Sequence, residues 1–175
     1  KATNFKLMKC EESNRALESW EDVIPHREDV LIENVDIFKN YLVVSERKNG
    51  LNEIRIKRWD ETEDYYLPFD NETYTAYTST NVDFDTELLR YGYNSLTTPA
   101  SVIEFNMQTK SRAILKEQEV LGGTFKKENY TSERIWATAN DGTKIPMIII
   151  KNSFSIILFI YYLTIFSIIK WKNRK

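Results

Sequence analysis

The sequence predicts an all-β fold of short antiparallel strands, and three observations carry that prediction. Apolar and polar residues alternate between turn signals, as in Ile54-Arg55-Ile56-Lys57. Helical periodicity is weak along the body of the chain. A pattern also recurs at an offset of 49 residues: Val44 with Tyr93, Ile54 and Ile56 with Ile103 and Phe105, Tyr65-Tyr66 with Ile114-Leu115. Repeats of roughly 40–50 residues with about four strands each are the signature of β-propeller blades. An antiparallel meander or sandwich spaces its strands similarly, so periodicity alone leaves that alternative open.

The elements follow in order. Arg15 to Val23 is predicted to form one or two short helical turns, with Ser13 or Asn14 as the cap. Val30-Leu31-Ile32 opens an apolar strand that Ile37-Phe38 continues, and Tyr41 to Val44 is the next strand. Asn49-Gly50 is a strong hairpin signal, because both central positions of a type I′ turn need positive φ. Ile54 and Ile56 then mark a return strand with one buried face, and Tyr65 to Phe69 another strand. Leu88 to Tyr93, Val102 to Phe105 and Ala113 to Leu115 repeat the style, with a turn at Gln108 to Lys110. Residues 118–131, with Gly122-Gly123 and Lys126 to Asn129, read as a linker. Arg134 to Ala139, the turn Asn140-Asp141-Gly142 and Lys144 to Ile150 form a hairpin outside the repeat, which implies a different domain.

Composition removes several chemistries. One His and one Cys among 175 residues cannot build a Cys/His zinc site or an internal disulfide. No Ser is flanked by Gly two residues away on both sides, and there is neither a P-loop nor a G-x-G-x-x-G. The first residue is Lys1, so the chain is expected to begin inside a longer protein. Residues 151–175 hold five bases and no acid. Removing them from the 24 bases leaves 19 against 26 acids, a balance of −7. An acidic body argues against a nucleic-acid partner.

The tail has three readings. Ser153 to Ile169 is a charge-free run followed by Lys170, Trp171, Lys172, Arg174 and Lys175. Its length lies at the lower limit of a membrane-crossing helix, about 17–25 residues, and the flanking bases would place the C-terminus in the cytoplasm. The second reading is a core element. The third is a product of a shifted reading frame, since Ile, Phe, Tyr, Leu, Ser, Lys and Asn are the residues of A/T-rich codons.

Candidate chemical groups have bland readings beside the sharp ones. His26 could act as a general base, but with no nucleophile partner it reads as a loop histidine. Cys10 reads as a structural thiol in a strand-like stretch. The acidic clusters Glu61 to Asp64 and Asp83 to Glu87 lack a calcium-loop register and read as solvated loops. Asn71-Glu72-Thr73 and Asn129-Tyr130-Thr131 are glycosylation sequons, relevant in a secreted protein. Tyr65, Tyr66, Tyr74, Tyr77, Tyr91 and Tyr93 are expected in the core and between blades.

Several stretches carry a resemblance. They are Trp20 to Glu33 with Ile24-Pro25-His26-Arg27, Tyr41 to Arg47, and Tyr65-Tyr-Leu-Pro-Phe-Asp70. The most specific is Leu89-Arg-Tyr-Gly-Tyr-Asn-Ser-Leu-Thr-Thr-Pro-Ala-Ser-Val102, followed by Gln118 to Gly122 and Ser132 to Ala139. Together, over residues 4 to about 149, the chain resembles the oligopeptidase B (protease II) branch of the prolyl oligopeptidase family of serine peptidases.

The resemblance implies a seven-bladed propeller joined to an α/β-hydrolase domain, cleavage of short peptides after Arg or Lys, and a propeller that restricts access to small peptides. It implies a fragment: residues 1–120 as the last blades, 121–150 as linker and first hydrolase strands, and 151–175 as the apolar tail. Within it, residues 4–10 would finish one blade, about 30–70 form the sixth and about 74–117 the seventh. The family's catalytic Ser, Asp and His lie downstream and map to no residue here. The chain alone is therefore expected to be inactive, with no catalytic, cofactor-binding or metal residue and no cofactor. Implied partners are short basic peptides, through the parent enzyme, and a complementing hydrolase half; a membrane is the alternative, through residues 153–169. The implied location is cytoplasmic, with membrane association as the alternative. Past Ile150 the family would continue into more hydrolase sheet, whereas this chain enters the apolar run, which favours the shifted-frame reading. A non-catalytic β-rich module anchored by a C-terminal helix is the competing function.

Overall fold

A computed structural model describes residues 2–123 and 125–152. Residues 153–175 lie outside the described residues, and with them every reading of the tail. Among the described residues no helix is long and apolar enough to cross a membrane.

The expected all-β architecture is present as four antiparallel sheets. Strands β1 (Leu7–Lys9) and β2 (Glu21–Ile24) form a pair. A four-stranded meander follows: β3 (Val30–Ile37), β4 (Tyr41–Lys48), β5 (Leu51–Arg58) and β6 (Asp64–Tyr66). A second meander holds β7 (Thr75–Thr78), β8 (Leu88–Ser95), β9 (Thr98–Asn106) and β10 (Arg112–Glu117). The last pair is β11 (Tyr130–Thr138) with β12 (Lys144–Asn152). Two four-stranded meanders packed face to face are the blade pattern of a propeller.

Local chemistry sets the turns. Asn49 and Gly50 have φ of 51° and 78°, and Lys48 faces Leu51 across the two-residue loop. In the β9–β10 turn, Asn106 Oδ1 accepts from the N–H groups of Gln108 and Thr109 at 3.0 and 2.7 Å. Lys110 adopts φ of 62° where the chain reverses.

The core lies in the seam between the meanders. Tyr41, Val43, Ile54 and Ile56 of one sheet meet Ala76, Leu89, Tyr91 and Phe105 of the other, all fully or almost fully buried. The opposite face of the first meander presents Leu42 and Val44 to Ile24, with Leu7 and Val23 packed alongside. A sheet buried on both faces carries apolar residues at consecutive positions, as Tyr41 to Val44 do.

The 49-residue repeat falls on equivalent strands: β4 with β8, β5 with β9, β6 with β10. Its facing differs. Ile54 and Ile56 point forward to the second meander, whereas Ile103 and Phe105 point back to the first. Alternation such as Ile54-Arg55-Ile56-Lys57 marks which residues share a buried face but not which neighbouring sheet that face meets.

Other expectations need correction. Of the one or two turns expected within Arg15 to Val23, one is present as a 3₁₀ turn at Leu17–Ser19, but Glu21–Ile24 is strand. Ser13 and Asn14 do not cap it; the N-cap position is Ala16. Pairing with β1 and burial of Ile24 outweigh the local helical preference. The strand expected over Tyr65 to Phe69 ends at Tyr66, with the Leu67 N–H still donating to the Ile54 carbonyl at 2.8 Å before Pro68. The Arg134 hairpin forms as expected, with longer strands.

Candidate functional site

One end of the two meanders gathers the features that can do chemistry. The β4–β5 turn lies at this end, and antiparallel order brings the β6–β7 connection and the β8–β9 turn to it as well. The β11–β12 hairpin docks there. The Arg134 backbone N–H donates to Glu72 Oε2 at 3.0 Å, and its guanidinium donates to the Asn49 carbonyl. The same guanidinium lies 4.6 Å from the Trp136 ring centre. Ile148 of β12 closes a small cleft with Tyr74, Asn94 and Leu96.

Beside this junction, between the second meander, the β6–β7 connection and the segment before β11, is a cavity of about 540 Å³. Phe69 stacks on Tyr93 with ring centres 5.4 Å apart and meets Tyr91 edge-on at 6.1 Å. Asn71 donates to the Tyr93 hydroxyl at 2.7 Å and to Thr98 Oγ1 at 3.4 Å, and accepts from Thr97 Oγ1 at 3.4 Å. Arg112 reaches across the seam to the Pro68 carbonyl. Lys127 and Glu128, with Tyr130 at the start of β11, form one rim. Burial pushes the phenol of Tyr91 up and that of Tyr74 up to about 12, so both stay protonated near neutral pH. Aromatic faces, hydroxyls and an amide can bind and orient a ligand.

A second polar cluster ties the first meander to the β2–β3 connection. Glu46 of β4 is fully buried. Its carboxylate pairs with Arg27 and accepts from the Tyr66 hydroxyl at 2.8 Å, while Arg27 donates to that hydroxyl at 3.0 Å. Arg55 lies 3.7 Å from Glu46 and grips Asp64 with two hydrogen bonds of 2.7 and 2.6 Å. Those two bonds hold the Asp64 carboxyl below the usual carboxylate range, against the smaller effect of burial.

The residues singled out in the sequence are placed as follows. His26 Nε2 lies 3.5 Å from Thr3 Oγ1 in an exposed loop. Cys10 is exposed just past β1, so it is not a buried structural thiol. The acidic clusters are not simply solvated loops. Lys39 binds Asp85 at 2.7 Å and Asn40 binds Glu87 at 2.8 Å across the seam, while Lys110 lies 3.5 Å from Glu63. The reason is that both clusters lie in connections at the seam, where opposite charges from the neighbouring sheet reach them. Among the described residues no group of three or more His, Cys, Asp or Glu could hold a metal ion. The first sequon's Asn71 spends its amide on the Tyr93–Thr98 network. Of the six tyrosines, Tyr91 is core and Tyr65, Tyr74 and Tyr93 pack against it, but Tyr77 and Tyr66 are 57% and 41% exposed. Tyr66 serves the Glu46 cluster instead.

Arg27, Glu46, Glu72 and Arg134 were not singled out from the sequence. A charge such as Glu46 inside the buried run Tyr41 to Glu46 was the available signal for one of them. Arg134 gave none, because its partners come from connections 62 and 85 residues earlier.

Comparison with known proteins agrees with this architecture. Residues 1–118 match the family described as "Prolyl oligopeptidase, N-terminal beta-propeller domain". The chain is 39% identical over 150 residues to dipeptidyl aminopeptidase BI of Pseudoxanthomonas mexicana, covering 85% of this chain and 20% of that protein. It is 28% identical over 146 residues to protease 2 of Moraxella lacunata, covering 83% and 20%. Among solved structures, oligopeptidase B from Leishmania major superposes with a TM-score of 0.74 at 31% identity, over 86% of this chain and 22% of that one. The chain thus spans about a fifth of the length of these relatives. With a propeller-family match over residues 1–118 and two face-to-face four-stranded meanders behind it, this chain belongs to the prolyl oligopeptidase family, as part of its N-terminal β-propeller domain.

Proposed function

We propose that the chain is the closing part of the propeller of an oligopeptidase-B-like serine peptidase, followed by the first hairpin of its hydrolase domain. The observation that carries this reading is the docking of β11–β12, which lies past the propeller match at residues 1–118, onto one end of the meanders through Arg134. In the parent enzyme the propeller limits access to short peptides, and cleavage follows Arg or Lys. That specificity is carried over from the family resemblance, and the likeness to oligopeptidase B and protease 2 supports the branch. The chain's partners are then a complementing hydrolase half and, through it, short basic peptides. Its place is the cytoplasm, with no nucleic acid bound.

Two measurements test this. The purified chain is expected to leave an Arg-containing reporter peptide intact; turnover abolished by a serine-reactive inhibitor would overturn the inactive-fragment reading. A chimera in which residues 4–149 replace the matching segment of protease 2 is expected to cleave that reporter and to refuse long polypeptides. A folded chimera that lacks activity, or that cleaves proteins freely, would refute the propeller role. Recovery of the whole chain in a membrane pellet, lost when residues 153–175 are removed, would overturn the cytoplasmic assignment.

A further inference from the structure

We infer that Arg134 is a latch that fixes the β11–β12 hairpin to the propeller, with the Asn49–Gly50 turn and Glu72 as its receptor, and that it sets how readily the two parts separate. The second half of this statement rests on the reading of the hairpin as the start of the hydrolase domain. Arg134 occupies both anchor points at once. Its backbone N–H turns away from β12, out of the hairpin's own ladder, and meets the Glu72 carboxylate at 3.0 Å. Its side chain crosses to the Asn49 carbonyl in the β4–β5 turn.

The turn geometry makes that acceptor available. With Asn49 and Gly50 both at positive φ, the two-residue loop closes tightly and has no ladder partner for the Asn49 carbonyl. Gly50 also faces the guanidinium, where a Cβ would stand 3.7 Å from an Arg134 terminal nitrogen. Trp136, on the same side of β11, lies against the guanidinium at 4.6 Å and limits its freedom before it docks. Both latch bonds are charge-assisted, one from a cationic donor and one to an anionic acceptor, so each outweighs a neutral bond. Neither end is deeply buried, and the hairpin strands themselves are largely exposed. A contact of this kind holds a part in place but can be broken at modest cost, as a separable junction requires.

Hydrogen exchange on the full chain tests the latch. In Arg134→Met the amides of β11 and β12 are expected to exchange about ten-fold faster, while those of Tyr41 to Val44 and Leu89 to Tyr91 keep their rates. Arg134→Lys, which keeps a cationic donor, is expected to recover part of the protection. Unchanged hairpin rates, or equal acceleration in every sheet, would overturn the latch. Its role in separation is read in the protease 2 chimera described above, where Arg134→Met is expected to raise cleavage of longer peptides several-fold and leave the short reporter unaffected. Faster hairpin exchange without that change would overturn the role in separation alone. Loss of activity in the chimera that retains Arg134 would instead count against the domain reading itself.

Discussion

Removing the Glu46 carboxylate is the most informative perturbation of the fold. Glu46 is fully buried, and Glu46→Ala leaves the Arg27 guanidinium and the Tyr66 hydroxyl without their shared acceptor. Breaking one side of a buried ion pair costs about 3–5 kcal/mol. Arg27 keeps 25% side-chain exposure and can turn partly to water, and Arg55 retains its grip on Asp64, which argues for the lower limit. The expected loss is therefore about 3 kcal/mol. Glu46→Gln keeps the volume and one acceptor, and is expected to lose about half as much. The double change Arg27→Met with Glu46→Leu removes both charges, and is expected to cost well under the sum of its parts. Urea unfolding followed by tryptophan fluorescence reads all three against the parent chain, provided the denaturant dependence stays unchanged. A loss below about 1 kcal/mol for Glu46→Ala, or equal losses for Ala and Gln, would refute the buried-brace reasoning.

Three other outcomes follow from the same geometry. Leu89→Ala empties part of the seam at a fully buried position and is expected to cost about 3–5 kcal/mol, read in the same urea titration. Gly50→Ala forces a side chain to φ of 78° and is expected to cost about 1–2 kcal/mol, with faster exchange of the amides flanking the turn. Asp64 is held below its ordinary range by Arg55, so its contribution is full above the unfolded value of about 3.9 and fades as pH falls through the lower folded value. Asp64→Asn is accordingly expected to be less stable than the parent chain at pH 7, with the difference shrinking as the pH drops below 4; a constant gap across that range would contradict the assignment.

Much of the fold was legible because it is local. The Asn49–Gly50 turn, the alternation at Ile54 and Ile56 and the hairpin around Asn140-Asp141-Gly142 each specify their own geometry through backbone preference and side-chain period. The quoted words from Trp20 to Ala139 carried the family, which the match over residues 1–118 supports. The strand at Glu21–Ile24 was not legible, because a four-residue segment takes its state from its partner and its burial.

The sequence by itself determined the strand content, the repeat and the kind of domain, since those are set by neighbours along the chain. Only the tertiary structure decided which neighbouring sheet each buried face meets, because alternation marks a face without naming its partner and Tyr41 to Val44 is buried on both. It alone brought Arg27 to Glu46, Asp85 to Lys39, and Arg134 to Asn49 and Glu72. A charged side chain reads as a surface residue until the fold brings its partners within reach, and of these pairs it is Glu46 that meets them out of water.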